Sequence, residues 1–396
     1  MKTILILGGG RWQCPLILKA KSLGIRVVCM DQDRLAPGLI FSDIPLVCNI
    51  KDHNAILEKI NSIHIDGLAI DQTEIPIHAA RKVADILGLT FIPQDVIDVT
   101  TNKLKMRQRW LRDGICVPEF KQINSYLELI QFANQVGYPV VTKPLDSMGS
   151  QGVCICMNEE DLQVGYKEAV EYSTNNKDVI IAEKFIEGRE YTIEAFSYLG
   201  KTKVLGISQK SKSKNSPQVS SMLEYPPDLN SDQIYLIEDF VINAINSLGI
   251  LNGPSHSEVI LKDESIAMVE TASRGGGFGI SSEIIPLVSG FDHLQAILKL
   301  ALNEKVLMDF MREKNAVTLG FFESPKGRIK KIHGINDVMR LESLRAIEFF
   351  KVEGDEVEVI KADRGRSGYF LLQSFSKERL RREAEVINKK IKFEID

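Results

Sequence analysis

Two lysines, a loop of small residues and a pair of glutamates carry the chemistry this sequence offers. The segment GYPVVTKPLDSMGSQGV, residues 137–153, runs from a β-rich stretch into Lys143 and then Ser147, Gly149, Ser150, Gln151 and Gly152. Small residues let backbone N–H groups approach phosphate oxygens, and hydroxyls add donors. Lys143 supplies a point charge to the same oxygens. The lysine precedes the glycines, so this is not the G-x-x-x-x-G-K-[ST] phosphate loop. Taken alone, the stretch reads equally well as a β-hairpin turn with an exposed lysine. Upstream, Asn102-Lys103 opens a helix, where a solvated first-turn charge is the plain alternative.

Downstream, VIIAEKFIEGREYTIE at 179–194 carries an apolar strand into Glu183-Lys184-Phe185-Ile186. Such a segment can offer backbone groups to an adenine edge while its apolar side chains pack on the ring. Glu190, past the Gly188 turn, could accept hydrogen bonds from ribose hydroxyls.

The carboxylate pair lies in HSEVILKDESIAMVETASRGGGFG, residues 256–279, which reads as a hairpin. Period two puts His256, Glu258 and Ile260 on one face, and Ile266, Met268 and Glu270 on a face of the next strand. With Asp263-Glu264-Ser265 as the loop and Lys262 opposite Ile266, Glu258 falls opposite Glu270. Directly opposed Cβ atoms are about 5 Å apart. Two carboxylates that close repel unless a cation lies between them, and Mg²⁺ prefers oxygen ligands plus substrate phosphates. A solvated glutamate pair is the alternative, which the apolar neighbours disfavour. Arg274, followed by Gly275-Gly276-Gly277, suits a developing phosphate or carboxylate charge, or forms a structural pair with Glu283.

These side chains need elements to hold them. Short apolar runs at 4–7, 26–30, 45–48 and 67–70 alternate with helices at 14–23, 54–60 and 76–87. That alternation predicts a parallel sheet covered on both faces. Gly8-Gly9-Gly10 follows the first strand, with Gln13 where a dinucleotide fingerprint needs its third glycine and Asp31 ending the second strand. A tight strand–helix turn is the preferred reading. Helices are expected at 102–113, 231–248, 293–302 and 376–389, and strands at 139–142, 178–182 and 191–208. Residues 209–220, QKSKSKNSPQVS, read as a mobile polar loop, and 316 onward as a small α+β unit.

The 396 residues correspond to about two to three domains. Lys plus Arg total 49 and Asp plus Glu 53, a formal charge of −4, so no bulk attraction for nucleic acid is expected. No apolar run approaches the ~20 residues needed to span a bilayer. The Ile4–Leu7 run reads as a buried strand and not a signal peptide. Six scattered cysteines fit buried free thiols and a cytoplasmic location, and the C-x-C at 154–156 has no zinc partner nearby.

In order and spacing, Lys103, Lys143, the small-residue loop, Glu183 to Glu190, and Glu258, Glu270 and Arg274 resemble the ATP-grasp enzymes across essentially the whole chain. The resemblance implies a Rossmann-like domain at 1–96, an ATP-grasp domain at 97–313 in two subdomains (97–182 and 183–313), and a C-terminal α+β domain at 314–396. It assigns ATP to Lys103, Lys143, Ser147, Gly149, Ser150, Gln151, Gly152, Glu183, Lys184, Phe185, Ile186 and Glu190, and Mg²⁺ or Mn²⁺ to Glu258 and Glu270. The tail segments FFESPKGRIKKIHG (321–334) and DRGRSGY (363–369) are similar to the branch that joins L-amino acids.

That branch implies ADP-forming carboxylate–amine ligation through an acylphosphate. Its substrates are small carboxylates and amines of the amino-acid class, with a homodimer as one assembly. In this reading Arg274 stabilises the oxyanion or the phosphate, His256 orients substrate or is a structural histidine, and Glu224 pairs with a substrate ammonium or stands as an exposed loop acid. Gly275, Gly276 and Phe278 face the first substrate, Phe278 shaping the space for its side chain. Ala272 stands where several branches carry a third, asparagine, metal ligand. The glycine run is shorter than in biotin carboxylases. A ligase or carboxylase of nucleotide biosynthesis, and a non-catalytic ATP-binding module, are the other readings.

Overall fold

The structure is a computed structural model and describes residues 1–174, 179–310 and 315–396. Strands Ile44–Val47, Arg26–Asp31, Thr3–Leu7 and Gly67–Ala69 lie side by side, all parallel. The run Thr3–Leu7 is buried throughout because both faces are covered, which is why it is continuously apolar. Ile4 and Ile6 pack with Leu16 and Ile17 of helix Cys14–Ser22. Leu5 and Leu7 point the other way, onto Ile56 and Val83 of helices His53–Ile60 and Ile77–Leu87. The glycine cluster is the tight turn expected, and Asp31 accepts a hydrogen bond from the Gly9 N–H at 2.7 Å.

A second, antiparallel sheet orders Phe120–Ile123, Ile180–Lys184, Val140–Pro144 and Cys154–Cys156, backed by helices Tyr126–Val136 and Glu159–Glu171. Residue 178, the expected start of one strand, lies outside the described residues.

The third sheet has eight antiparallel strands. Their order is Ser265–Ala272, Gly253–Lys262, Arg189–Tyr198, Lys201–Lys212, Ser220–Tyr225, Ala316–Phe322, Gly368–Ser374 and Leu344–Phe349. It continues across the expected boundary at 313/314, which itself falls outside the described residues, so the C-terminal unit extends the same sheet. Helix Ser231–Ser247 backs its first half and helix Lys377–Lys390 its last strands.

Two expectations need correction. The stretch 191–208 is two strands that turn at Leu199-Gly200. Of the polar segment 209–220, residues 209–212 continue a strand, with Gln209 paired to both Tyr191 and Glu224. Only 213–219 form the turn, because ladder bonds on both sides outweigh the polar composition. No single helix among the described residues is long and apolar enough to cross a membrane. Helices Ile280–Ser289 and His293–Ala301 do so only as a sharply bent pair, and their apolar side chains belong to the core. All six cysteines are free thiols.

Candidate active site

A cavity of about 580 Å³ opens between the four-stranded and the eight-stranded antiparallel sheets, and it is lined by residues from nearly every motif above. At one end stand Lys184, Phe185 and Ile186, where the strand Ile180–Lys184 runs out. Lys103 enters from the first turn of helix Lys103–Arg112, which Asn102 caps by accepting the Lys105 N–H. Its ammonium donates to the Ser147 carbonyl at 2.6 Å and lies 3.2 Å from Glu270 Oε1.

Lys143 and Glu183 sit on paired strands and form a buried ion pair at 2.6 Å. Arg107, wholly buried, holds the other Glu183 oxygen at 2.8 Å. Burial alone would raise the Glu183 pKa, but the two cations outweigh it and hold it below the usual carboxylate range. Glu183 therefore serves as the anchor of Lys143, and its carboxylate is taken before any nucleotide arrives. Arg107 was missed from sequence, although its place four residues after Lys103 puts both on one helix face.

The loop 147–152 needs left-handed backbone. Gly149 has φ +62, and its carbonyl accepts the Asp363 N–H at 3.1 Å. Ser150 donates to the Gln218 carbonyl at 3.0 Å, and Gln218 in turn donates to the Lys361 carbonyl at 3.3 Å. The Ser147 hydroxyl donates to the Gln151 carbonyl at 2.8 Å. The two polar loops and the tail segment at 360–366 thus close one wall together. Gly152 has φ +69 and lies against Pro144, away from the cavity lining.

Glu258 and Glu270 are cross-strand partners. The register comes from two features the sequence did not display. The loop has two residues, Asp263 and Glu264, with Lys262 opposite Ser265, and a bulge at Val269 restores the expected pairing. The bulge also corrects the face assignment. Met268 turns into the core, while Val269 and Glu270 line the cavity. The Arg107 guanidinium donates to the Val269 carbonyl that the bulge frees from the ladder.

Lys210 pairs with Glu190 and lies 2.7 Å from Glu258, and Lys212 pairs with Glu190. Both lysines escape the sequence reading because a Ser- and Lys-rich run reads as loop, whereas lysines two apart on a strand share a face. Burial lowers the Lys210 pKa, and the two glutamates more than reverse this, so it is raised. Glu258 is held well below its ordinary value: Lys210 and His256 overcome burial.

His256 lines the cavity with its Nδ1 on the buried Glu194 and its Nε2 3.8 Å from Glu258. Burial favours the neutral ring, but Glu194 and Glu258 push the pKa up to about 9. The Gly276 N–H donates to Glu194 at 3.0 Å. A Cβ there would stand 2.5 Å from Glu194 Oε1, so this position requires glycine by close approach. Gly275 likewise abuts Ser281, so both expected substrate glycines pack behind the cavity wall, and Gly277 and Phe278 line it.

Arg274 lines the cavity and lies 3.2 Å from Glu74, which comes from the N-terminal domain, instead of Glu283. Burial raises the Glu74 pKa and Arg274 partly offsets this. Glu224 is a correction. Its carboxylate accepts from Arg381 at 2.8 Å and Gln209 at 2.7 Å and is not part of the cavity lining, because strand alternation turns Leu223 inward instead.

Among the described residues no group of three or more His, Cys, Asp or Glu could hold a metal. The Glu258–Glu270 pair nonetheless suits Mg²⁺, which commonly takes one or two carboxylates and completes its shell with phosphate oxygens and water. Their present counter-charges are Lys210 and Lys103.

A family model described as the ATP-grasp domain matches residues 136–282, and one described as L-amino acid ligase C-terminal domain 2 matches residues 320–396. A formate-dependent phosphoribosylglycinamide formyltransferase of Prochlorococcus marinus (strain MIT 9515) is 23% identical over 361 residues, covering 88% of each chain. That of Bacillus subtilis (strain 168) is 25% identical over 314 residues, 76% of this chain and 79% of its own. The crystal structure of L-amino acid ligase from Bacillus licheniformis superposes with a TM-score of 0.86 at 23% identity, covering 100% of this chain and 99% of that one. Phosphoribosylglycinamide synthetase from Anaerococcus prevotii gives 0.76 at 23% identity, covering 100% of both chains. The fold is ATP-grasp with a parallel-sheet N-terminal domain.

Proposed function

Taking the chain as an ATP-grasp ligase that uses ATP and Mg²⁺, we propose that it joins a small carboxylate to an amine, both of the amino-acid class, with release of ADP and phosphate. One observation carries this reading. Lys103, Lys143, the 147–150 loop, the facing Glu258 and Glu270, and Arg274 line a single cavity. The family match over 320–396 supports the amino-acid branch.

In this reading a substrate carboxylate oxygen attacks the γ-phosphorus of ATP in line, and the bond to the ADP oxygen breaks. Lys103 and Lys143 spread the charge of the transferring group, so the protein contributes position and field and little covalent chemistry. Lys210 and Lys212 add positive charge once Glu190 turns to a ribose. Bound Mg²⁺, held by Glu258 and Glu270, would neutralise phosphate charge. Glu194 and His256 keep Glu258 oriented. The amine nitrogen then attacks the acyl carbon, the bond to the phosphate oxygen breaks, the nitrogen's proton leaves with the phosphate, and Arg274 faces the oxyanion that forms between attack and departure. The loops at 147–152 and 213–219 keep water away from the acylphosphate.

The test is ADP formation with Mg-ATP and paired amino-acid pools. ADP that needs both a carboxylate and an amine supports the reading. ATP binding without ADP formation for any pair refutes it and leaves a nucleotide-binding module.

A further inference from the structure

The cavity has a second, chemically different end. Beyond Arg274 its wall passes to Phe278 and Ile280, and it is completed by Trp12 and Ile75 from the N-terminal domain and Phe321 from the C-terminal part of the large sheet. The rings are mutually set. Trp12 and Phe278 lie with centroids 5.5 Å apart, and Phe278 and Phe321 5.2 Å in an edge-to-face contact.

Most polar groups at this end are engaged. The Gln72 amide nitrogen donates to the Trp12 carbonyl at 2.9 Å, and its oxygen accepts the Gly279 N–H at 3.1 Å. The Thr73 hydroxyl accepts the Ile75 N–H at 3.3 Å. Arg366 is buried against the Phe321 face at 3.5 Å and the Phe278 ring at 4.6 Å, donates to the Ser220 carbonyl at 3.0 Å, and pairs with Asp363 at 2.8 Å. Its Nε has no hydrogen-bond partner among the described residues. Asp363, an acid of the cavity lining, is compensated by its pairing with Arg366.

Resting on the ligase reading, we propose that this end receives an apolar side chain, so that the carboxylate substrate is a hydrophobic amino acid with Trp12 as its specificity-determining contact. The path of the chain supports the direction. A carboxylate held near Glu270 and Arg274 extends its side chain along the wall that Phe278 and Ile280 continue. Three parts of the chain supply that wall, so an apolar side chain buries surface against all of them at once. Burial of one Leu-sized side chain favours it by at least tenfold over a small polar one.

The experiment uses the full chain with Mg-ATP, single amino acids and hydroxylamine as the amine. Hydroxamate formation then reads the carboxylate substrate alone. Leu, Met, Ile or Phe should exceed Ser, Asp and Lys at least tenfold in kcat/KM. Trp12→Ala should lower that value about tenfold or more for the apolar substrate, with the KM for ATP unchanged.

Binding gives a second readout. The chain has two tryptophans, and Trp110 is fully buried away from the cavity. With MgADP present, an apolar amino acid should change the fluorescence, and Trp12→Phe should abolish that change. Faster reaction with Asp or Glu would overturn the proposal and give this end to Arg366. Faster reaction with Lys or Ser, or an unaltered preference in Trp12→Ala, would also overturn it. Hydroxamate from no amino acid would instead remove the ligase reading beneath it.

Discussion

Replacing Arg107 by Met should loosen three things at once. The guanidinium makes two contacts with Glu183, through Nε at 2.9 Å and Nη2 at 2.8 Å, and one with the Val269 carbonyl at the bulge. Removing one partner of a buried ion pair costs about 3–5 kcal/mol, because the other charge is left uncompensated. Glu183 keeps Lys143 at 2.6 Å, which places the expected loss at the lower end, about 3 kcal/mol. With a urea dependence of about 3 kcal/mol/M for a unit this large, the unfolding midpoint should fall by about 1 M.

The affinity for ATP should fall as well, since Glu183 would then hold Lys143 alone and draw it from the phosphates. The acid limb has a defined sign. The Glu183 pKa is depressed in the fold, so its contribution is present above the ordinary value of 4.5 and is lost as pH falls below it. In the variant that acid dependence should shrink. A midpoint shift below about 0.3 M, which corresponds to under ~1 kcal/mol, together with unchanged ATP affinity, would refute the assignment.

Other outcomes follow from the same geometry. Glu270→Ala should abolish ADP formation while ATP still binds, and chelation of divalent ions should do the same to the wild-type chain; full activity in either case would remove Glu270 from its role. Gly276→Ala should cut turnover by pressing on Glu194 and His256, whereas Gly277→Ala, whose Cβ meets nothing within 4 Å, should leave stability unchanged in thermal unfolding. Asp228 has its pKa lowered to about 2: burial opposes ionisation and Lys377, Arg381 and Gln209 outweigh it. Its stabilisation is present above 3.8 and is lost as pH falls through about 2, so Asp228→Asn should flatten that limb, with a loss at neutral pH of no more than ~1 kcal/mol because the pairs are half exposed.

What could be read from the sequence was the part fixed by local pattern. Thr3–Leu7 announces a strand buried on both faces, and the Asn102 cap announces the helix that carries Lys103. The pairing of Glu258 with Glu270 was also legible, but through two compensating slips: the loop is one residue shorter than expected, and the bulge at Val269 restores the register. The Val269 carbonyl at that bulge accepts from Arg107, which is 162 residues away in sequence, and no local pattern contains such a contact. The same holds for Glu74 beside Arg274, and for Arg381 taking Glu224 out of reach. Lys210 and Lys212 were hidden for another reason. A run of Ser and Lys resembles a loop until its ladder partners are known.

The most direct test of the acylphosphate account labels the oxygens of the substrate carboxylate with ¹⁸O. The oxygen that attacks the γ-phosphorus leaves with it when the amine displaces phosphate. The account predicts one ¹⁸O in each phosphate released alongside ADP. Phosphate free of label, formed at the same rate as product, would contradict it.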